Sequence, residues 1–229
     1  MSRTNLCVTY VMGYDPRMAS EAVAEGLRER KKRETRAAIS RSATELFVRR
    51  GFERTTITDV AREAGVAKMT VTNYFALKED LVFDRRAEIV DRLAAAVRQR
   101  ADGSSVLDAI CAAFERGLDE RNPTFGFIGS RFAEMVLSSP ALIASERSMF
   151  VAQEQALVRE LSTGPGDVEA QLAAAALASV FRVLYYEGRR RLLGGEPTGE
   201  TVVALRRLAS EAFGRVAAAL PSALVHEPR

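Results

Sequence analysis

The sequence predicts an all-α protein with about nine helices, divided between a small N-terminal head and a larger body. Strong helix formers such as alanine, leucine, arginine and glutamate dominate the 229 residues, and only seven prolines interrupt them. Apolar residues recur at spacings of three and four positions over long segments, as they do on one face of a helix. Hydrophobic residues make up 47% and charged residues 28% of the chain, which is typical of a globular protein with a sizeable core.

The predicted head occupies residues 28–86, and it follows an extension, residues 1–27, that we expect to be flexible because it lacks sustained periodicity. Its first helix runs from about Arg28 to Arg50, with an apolar stripe of Ile39, Ala43, Leu46 and Phe47. The basic residues between positions 28 and 36 have two interpretations. They form either the solvated first turns of this helix or a patch that contacts DNA phosphates.

The segment after this helix predicts two short helices around a tight turn. Thr56 and Asp59 have the spacing of a capping pair, and Gly65 suits a turn that needs positive φ. On a second helix from about Lys68 to Tyr74, Val71 and the following Phe75 would face inward. This arrangement is a helix-turn-helix, whose second helix fits the major groove of DNA.

The charge distribution agrees with a DNA-binding head. Residues 28–86 contain fifteen Arg and Lys against nine Asp and Glu, a net charge of +6, which leaves −3 for the remainder of a chain whose total is +3. A basic head on a mildly acidic body is what we expect of a protein whose head alone contacts DNA.

Seven short groups of residues between positions 51 and 81 closely resemble the N-terminal domain of TetR/AcrR-family repressors. They are Gly51-Phe52, Thr55-Thr56, Val60-Ala61, Ala64-Gly65-Val66, Thr70, Tyr74-Phe75 and Lys78-Glu79-Asp80-Leu81. The resemblance covers roughly residues 33–85, with two departures. Ala67 stands where the family often has a Ser or Thr cap, and Met69 replaces a small residue. The resemblance implies a homodimer that binds double-stranded, palindromic operator DNA.

Two sets of DNA-contacting residues follow from these patterns. Base-contacting residues are expected at the exposed positions of the second short helix: Lys68, Met69, Thr72 and Asn73. Phosphate-contacting residues are expected from the resemblance at Thr70, Tyr74 and Lys78, from the helix start at Thr55 and Thr56, and from the basic patch at Arg33 and Arg36.

The body is predicted to span residues 87–221, before a flexible tail, residues 222–229. One long helix from Lys78 to about Arg100 should lead into the body. Its charged residues, which include Arg92, are expected on the solvent-facing side of this helix. Further helices are expected at about residues 105–119, 125–137, 140–161, 168–193 and 200–220, separated by Gly, Pro and Ser breakers.

The middle of the body is rich in aromatic and methionine residues. They are either ordinary core or the lining of an apolar effector cavity, and the resemblance favours a cavity because family members usually sense a small molecule there. The candidate pocket residues are Phe114, Phe127, Arg131, Phe132, Met135, Met149, Phe150, Phe181 and Tyr185.

The last two long helices carry stripes of small and apolar residues. These serve either the core of the protomer or, as the resemblance implies, a four-helix dimer interface. The candidate interface residues are Leu172, Ala176, Val180, Leu205, Leu208, Ala212 and Phe213.

Catalysis, metal binding and membrane insertion are not predicted. The only histidine, His226, lies in the predicted tail, and Cys7 and Cys111 match no metal or disulfide spacing. No nucleotide-binding glycine motif occurs, so no cofactor is expected. The longest apolar run, Leu172 to Phe181, is too short to cross a bilayer, and no signal peptide is recognisable, so a cytoplasmic location is expected.

The sequence therefore predicts a dimeric DNA-binding regulator, more specifically a repressor that a small, largely apolar ligand releases from its operator. Three alternatives remain open at this point. They are an all-helical enzyme acting on a hydrophobic substrate, a regulator without a small-molecule ligand, and an activator, since the same head serves both signs of control.

Overall fold

The computed structural model describes residues 27–225, except for the side chains of Leu27, Arg28 and Ala223. The predicted extension, residues 1–27, therefore lies almost wholly outside the described residues, as do Cys7, His226 and the end of the predicted tail. Over residues 27–225 the secondary structure is helical, without a β-strand, which confirms the predicted all-α class.

The helices follow the predicted order closely. Helix α1 spans Leu27–Arg50, α2 Ile57–Glu63, α3 Lys68–Tyr74, α4 Arg86–Arg98, α5 Val106–Asp119, α6 Ser130–Ser138, α7 Pro140–Leu161, α8 Val168–Leu193, α9 Thr198–Ala217 and α10 Ser222–Val225. Two single 3-10 turns, Glu79–Leu81 and Pro123–Phe125, lie between them.

The chain divides into two compact units. Within the described residues, the first unit contains the chain up to Asp84 and also Gly129–Ser145, whereas the second contains Arg85–Ile128 and the chain from Glu146 onward. The head was predicted as one continuous segment, residues 28–86, so the sequence did not anticipate that α6 packs against α1. The Ser139 hydroxyl, just after α6, donates a hydrogen bond to a carboxylate oxygen of Glu53 at 2.5 Å.

The core of the first unit is built on the predicted stripe of α1. Ile39, Ala43, Leu46 and Phe47 are at most 1% exposed. The ring of Phe52 packs on that of Phe47, with 5.1 Å between centroids. Gly51, at φ +85°, reverses the chain after α1 and thereby brings Phe52 back to the core.

The long helix predicted from Lys78 is wrong over its first two turns. Leu81, Val82 and Phe83 are all buried, and three consecutive residues cannot occupy one face of an α-helix. The chain instead makes the 3-10 turn at Glu79–Leu81, and α4 begins only at Arg86. Near the end of this segment, an Asp84 carboxylate oxygen accepts a hydrogen bond from the Ser40 hydroxyl at 2.8 Å.

The helix predicted at residues 125–137 also begins later than expected. Gly126 adopts φ +93°, a left-handed conformation that ends the 3-10 turn Pro123–Phe125, and α6 starts only at Ser130. A Cβ atom on Gly126 would lie 2.5 Å from the backbone oxygen of Tyr185, so only glycine allows this close approach to α8.

Helix α8 is the central helix of the second unit. The Asp167 carboxylate caps its first turn by accepting a hydrogen bond from the Ala170 N–H at 3.0 Å. Among the described helices, α8 is long and apolar enough to span a membrane by length and composition, but half of its apolar window is buried inside the protein. Burial of this kind is expected of the core helix of a helical domain.

Candidate nucleic-acid interface

The helix-turn-helix of the first unit forms through local interactions. The Thr56 hydroxyl oxygen accepts a hydrogen bond from the Asp59 N–H at 3.1 Å, and an Asp59 carboxylate oxygen accepts one from the Thr56 N–H at 3.0 Å. Hydrogen bonds from the Thr56 hydroxyl and N–H lower the pKa of Asp59. Gly65, at φ +66°, then turns the chain between α2 and α3. The predicted capping box and turn are both present.

Helix α3 has one buried and one exposed face. Val71 and the adjoining Phe75 are 0% and 2% exposed, and they anchor the helix to the first unit. All four predicted base-contacting residues lie on the opposite, exposed face: Lys68, Met69, Thr72 and Asn73. The Met69 side chain is 69% exposed, which is unusual for a large apolar group and leaves it available to a partner surface.

The start of α3 has no side-chain cap, since Ala67 occupies the cap position. The Thr72 hydroxyl donates to the Met69 carbonyl oxygen at 3.1 Å. Because this hydroxyl is held against its own helix, the Thr72 methyl group is the part that faces outward, as a contact to a thymine methyl requires.

The predicted phosphate-contacting residues fall into two groups. Thr56 and Arg33 are exposed, and Thr70 and Tyr74 are half-buried, so these four can still meet DNA at the surface. Thr55 cannot, and its assignment was wrong. It is 1% exposed, and its hydroxyl donates to the Gly51 carbonyl oxygen at 2.9 Å.

Two residues predicted to contact phosphates, Arg36 and Lys78, make hydrogen bonds and ring contacts within the first unit. The Arg36 guanidinium donates to the Tyr74 carbonyl oxygen at 2.5 Å and lies 4.2 Å from the Phe75 ring centroid. The Lys78 ammonium donates to the Phe52 carbonyl oxygen at 2.6 Å and lies 4.1 Å from the centroid of the Phe52 ring. Burial lowers the pKa of Lys78. Both cations hold α3 and its flanking turns in place, but each is only half-buried, so a contact of either cation with a DNA phosphate stays a prediction.

The predicted pocket residues do not form one group. Phe114, Phe127, Phe150, Phe181 and Tyr185 belong to a single buried cluster of the second unit, which we call the aromatic cluster together with Phe125. The ring centroids of Phe114 and Phe181 are 6.0 Å apart, and those of Phe150 and Tyr185 are 5.2 Å apart.

The other predicted pocket residues lie elsewhere. Met149 is also fully buried in the second unit, whereas Phe132 and Met135 are buried in the first. Arg131 was wrongly assigned to an interior pocket, because it is exposed on the first turn of α6. Helical periodicity shows which side of a short helix is apolar. It does not show whether the side chain of a neighbouring arginine points inward or into solvent.

The predicted dimer residues also separate. Leu172 is 67% exposed, and Ala176, Val180, Leu208 and Ala212 line a groove of about 570 Å³ on the surface of α8 and α9. Leu205 and Phe213 are wrongly assigned, since they are 0% and 4% exposed and pack inside the protomer. Val183 is 59% exposed and lines the same groove, so it belongs to this candidate interface.

Three buried polar side chains of the second unit form a closed network. One carboxylate oxygen of Glu146 accepts hydrogen bonds from the Arg189 guanidinium at 2.8 Å and from the Tyr185 hydroxyl at 3.2 Å. Burial raises the pKa of Tyr185, so the hydroxyl stays protonated and remains a donor. This network is structural, since its charges compensate each other within the core.

Two further polar side chains, Arg92 and Gln153, were missed by sequence reasoning. Arg92 was expected on the charged outer face of α4, but its guanidinium lies 4.0 Å from the Phe125 ring centroid. Gln153 is 0% exposed on α7. No sequence signal distinguishes a long polar side chain that folds inward from one that is solvated. Within residues 27–225, no cluster of His, Cys, Asp and Glu is arranged to hold a metal ion.

Comparison with known proteins finds a matching family model and a similar regulator. Residues 39–84 match the family model of bacterial regulatory proteins, tetR family. The HTH-type transcriptional regulator TcmR of Streptomyces glaucescens is 28% identical over 175 residues, which cover 74% of this chain and 77% of that protein.

Two solved structures share the fold. A TetR-family transcriptional regulator from Mesorhizobium loti superposes with a TM-score of 0.53 at 17% identity, covering 81% of this chain and 96% of that chain. NalD, the secondary repressor of the MexAB-OprM multidrug efflux pump in Pseudomonas aeruginosa, gives a TM-score of 0.51 at 16% identity, with the same coverage.

Proposed function

The chain belongs to the TetR family of transcriptional regulators, and from this premise we propose that it is a repressor. As a homodimer it binds a palindromic operator through two copies of α3, and a small, largely apolar ligand in the second unit releases it. It acts in the cytoplasm, where the DNA is.

The observation that carries this proposal is the division of α3 into two faces. Val71 and Phe75 fix the helix to the core, while Lys68, Met69 and Asn73 stand free on its outer face. Their chemistry matches base edges, because lysine donates to guanine, asparagine pairs with adenine, and a methionine methyl contacts thymine.

The groove on α8 and α9 supports a dimer. Its lining is mainly apolar, and Leu172 and Val183 beside it are more than half exposed. A contiguous exposed apolar surface marks an interaction site in a soluble protein. A two-fold dimer would cover this groove and would also present two copies of α3 to successive half-sites of a palindrome.

Ligand release follows if a molecule in the second unit binds the DNA-free conformation more tightly than the DNA-bound one. The affinities for ligand and operator are then reciprocally coupled. The aromatic cluster supports an apolar ligand, since small-molecule sites in proteins are lined mainly by apolar and aromatic side chains with a few polar groups.

The test of DNA recognition is fluorescence anisotropy with DNA from immediately upstream of the gene, with random DNA as competitor and salt varied. Wild type should bind this DNA in a salt-sensitive way and resist the competitor. Asn73→Ala should lose about 1–3 kcal/mol of binding free energy at one operator position and little on random DNA. Gln155→Ala, which removes an exposed amide from α7, is the matched control and should bind like wild type.

Equal weakening of specific and random DNA by Asn73→Ala would contradict the proposed role of α3. The dimer is tested separately by sedimentation. Val183→Glu places a charge in the groove and should shift the protein toward monomer, whereas Val151→Glu, at a 53% exposed position on α7, should leave the dimer intact. A wild-type monomer on DNA would contradict the proposed assembly.

A further inference from the structure

Arg92 is a half-buried cation that makes no salt bridge to any of the described residues, and part of its guanidinium is fully buried. One terminal nitrogen, Nη1, donates to the Thr124 carbonyl oxygen at 2.8 Å, and the guanidinium lies 4.0 and 4.9 Å from the ring centroids of Phe125 and Phe181. The other nitrogen, Nη2, is buried and has no hydrogen-bond partner among the described residues. The nearby Glu88 carboxylate is engaged by both ends of the Arg85 guanidinium, at 2.7 and 2.6 Å. Burial lowers the pKa of Arg92 to about 9, so the group is still charged at neutral pH.

Arg189, a buried arginine of the same unit, shows how the fold pairs a purely structural guanidinium. Arg189 is 8% exposed and donates to the Glu146 carboxylate at 2.8 Å. A buried charge is costly unless it is paired, and the fold meets this requirement at Arg189 but not at Arg92. A donor left without an acceptor inside a protein points to a partner that arrives from outside.

Gln153 on α7 has an unpaired hydrogen-bond acceptor, which complements the unpaired donor of Arg92. Its side chain is 0% exposed, and its amide nitrogen donates to the Ile89 carbonyl oxygen at 2.6 Å. Its amide oxygen, Oε1, is buried and has no donor among the described residues. Ile89 and Arg92 are three residues apart on α4, about 4.5 Å along the helix axis. An unpaired donor and an unpaired acceptor therefore lie against the same turn of α4.

Arg92 is reachable from the surface. A groove of about 320 Å³ beside α4 and α5 is lined in part by Arg92, Phe125 and Gly117, whereas Gln153 lies behind this lining. The Phe125 ring lies so close against Gly117 that a Cβ atom at this position would overlap it. Phe125 belongs to a single 3-10 turn, and its ring separates this groove from the Phe181 ring, whose centroid is 5.1 Å away.

We propose that Arg92 and Gln153 form the polar end of the effector site, and that the effector is an aromatic organic anion with an adjacent hydroxyl group. Its anionic oxygen accepts from Arg92 Nη2, its hydroxyl donates to Gln153 Oε1, and its rings stack among Phe125, Phe181 and Tyr185. This inference rests on the proposed ligand-controlled repressor, and it adds the chemical class of the ligand.

The test uses three probes on the full-length protein: 3-hydroxy-2-naphthoate, its methyl ester and 2-naphthoate. Titration calorimetry of wild type should give tighter binding of the hydroxy acid than of the ester, which has no charge, by about tenfold. It should also give tighter binding of the hydroxy acid than of 2-naphthoate, which has no hydroxyl group. Arg92→Met should abolish the preference for acid over ester. Gln153→Met should abolish only the preference for the hydroxyl group.

Arg98→Met is the matched control on α4, because Arg98 is exposed and already paired with Asp91 and Glu160. It should leave both preferences unchanged. Operator binding, measured in parallel, should persist in all three variants. A wild type that binds operator DNA but none of the probes, or variants with unchanged preferences, would overturn this inference alone. A wild type that does not bind operator DNA would instead overturn the proposed function.

A second measurement needs no ligand. If Gln153 Oε1 is kept unpaired for an effector, removing it should stabilise the free protein. Methionine fills the same volume without an unsatisfied acceptor, whose cost exceeds the contribution of the lost hydrogen bond to Ile89. The melting temperature of Gln153→Met should therefore rise by about 2–4 °C. A lower melting temperature would show that the amide serves the fold, and would remove Gln153 from the site.

Discussion

Replacing Arg189 by methionine should strongly destabilise the second unit, because it leaves a buried carboxylate without its cation. The side chains of Arg189 and Glu146 are 9% and 3% exposed, and their charged groups meet at 2.8 Å. Methionine fills a similar volume but leaves the Glu146 carboxylate with neutral donors only, the hydroxyl groups of Tyr185, at 3.2 Å, and of Tyr186. An ionised carboxylate in this position is desolvated without compensation.

The expected magnitude follows from this geometry. Breaking a buried ion pair by removing one partner costs about 3–5 kcal/mol of unfolding free energy. The cation also lies 4.9 Å from the Tyr186 ring centroid, a contact that is lost with it. For a chain of this size each kcal/mol corresponds to about 2–4 °C, so the melting temperature should fall by about 6–20 °C.

The assay is thermal unfolding followed by circular dichroism at one fixed protein concentration, since dimerisation also contributes to stability. The matched control is Arg190→Met on the next residue of α8, whose side chain is 67% exposed and pairs with Glu187. Exposed pairs contribute little, so this variant should melt close to wild type. The double variant Glu146→Gln/Arg189→Met, which removes both charges, should recover most of the loss.

Equal melting temperatures for Arg189→Met and Arg190→Met would refute this reasoning. So would a double variant that is less stable than Arg189→Met, because the cost would then come from lost packing rather than from the uncompensated carboxylate.

Three further outcomes are expected. Gly126→Ala should lower the unfolding free energy by about 2–5 kcal/mol in urea titration, because alanine disfavours φ +93° and its Cβ would lie 2.5 Å from a backbone oxygen of α8. Hydrogen bonds from Arg190 and Arg191 lower the pKa of Glu187 from 4.5 to about 2. Its stabilising effect is therefore complete above pH 4.5 and lost as the pH falls toward 2, so over this interval wild type should lose more stability than Glu187→Gln. Burial raises the pKa of Cys111 to about 11, so in a Cys7→Ser background Ellman's reagent at pH 8 should react slowly until urea unfolds the protein.

The helix-turn-helix was predictable because its determinants are local. The capping pair Thr56 and Asp59, the turn at Gly65 and the inward positions Val71 and Phe75 lie within twenty residues of one another. Each of them acts through backbone geometry or helical periodicity, which are visible in sequence. The exposed face of α3, and with it the candidate base contacts, followed from the same pattern.

The positions of the charged groups at the ends of the long polar side chains were not predictable. Arg36, Lys78 and Arg92 each carry an apolar stem and a charged end, so a hydrophobic pattern treats them all as surface residues. In the structure, the charged end of Arg36 meets the Tyr74 carbonyl oxygen and that of Lys78 meets the Phe52 carbonyl oxygen, while that of Arg92 lies against Phe125. Each partner lies more than twenty-five residues away in sequence, at separations of 38, 26 and 33 residues.

Local patterns in the sequence were enough to predict the all-α class and the helix-turn-helix, because cap residues, turn glycines and the 3.6-residue period act within a few turns of chain. Contacts between distant segments place α6 in the first unit and Leu205 and Phe213 in the protomer core rather than at an interface. They also leave Arg92 and Gln153 with buried atoms that are unpaired among the described residues. Burial of a side chain and pairing of a polar atom depend on which distant segments meet, and local periodicity does not contain that information.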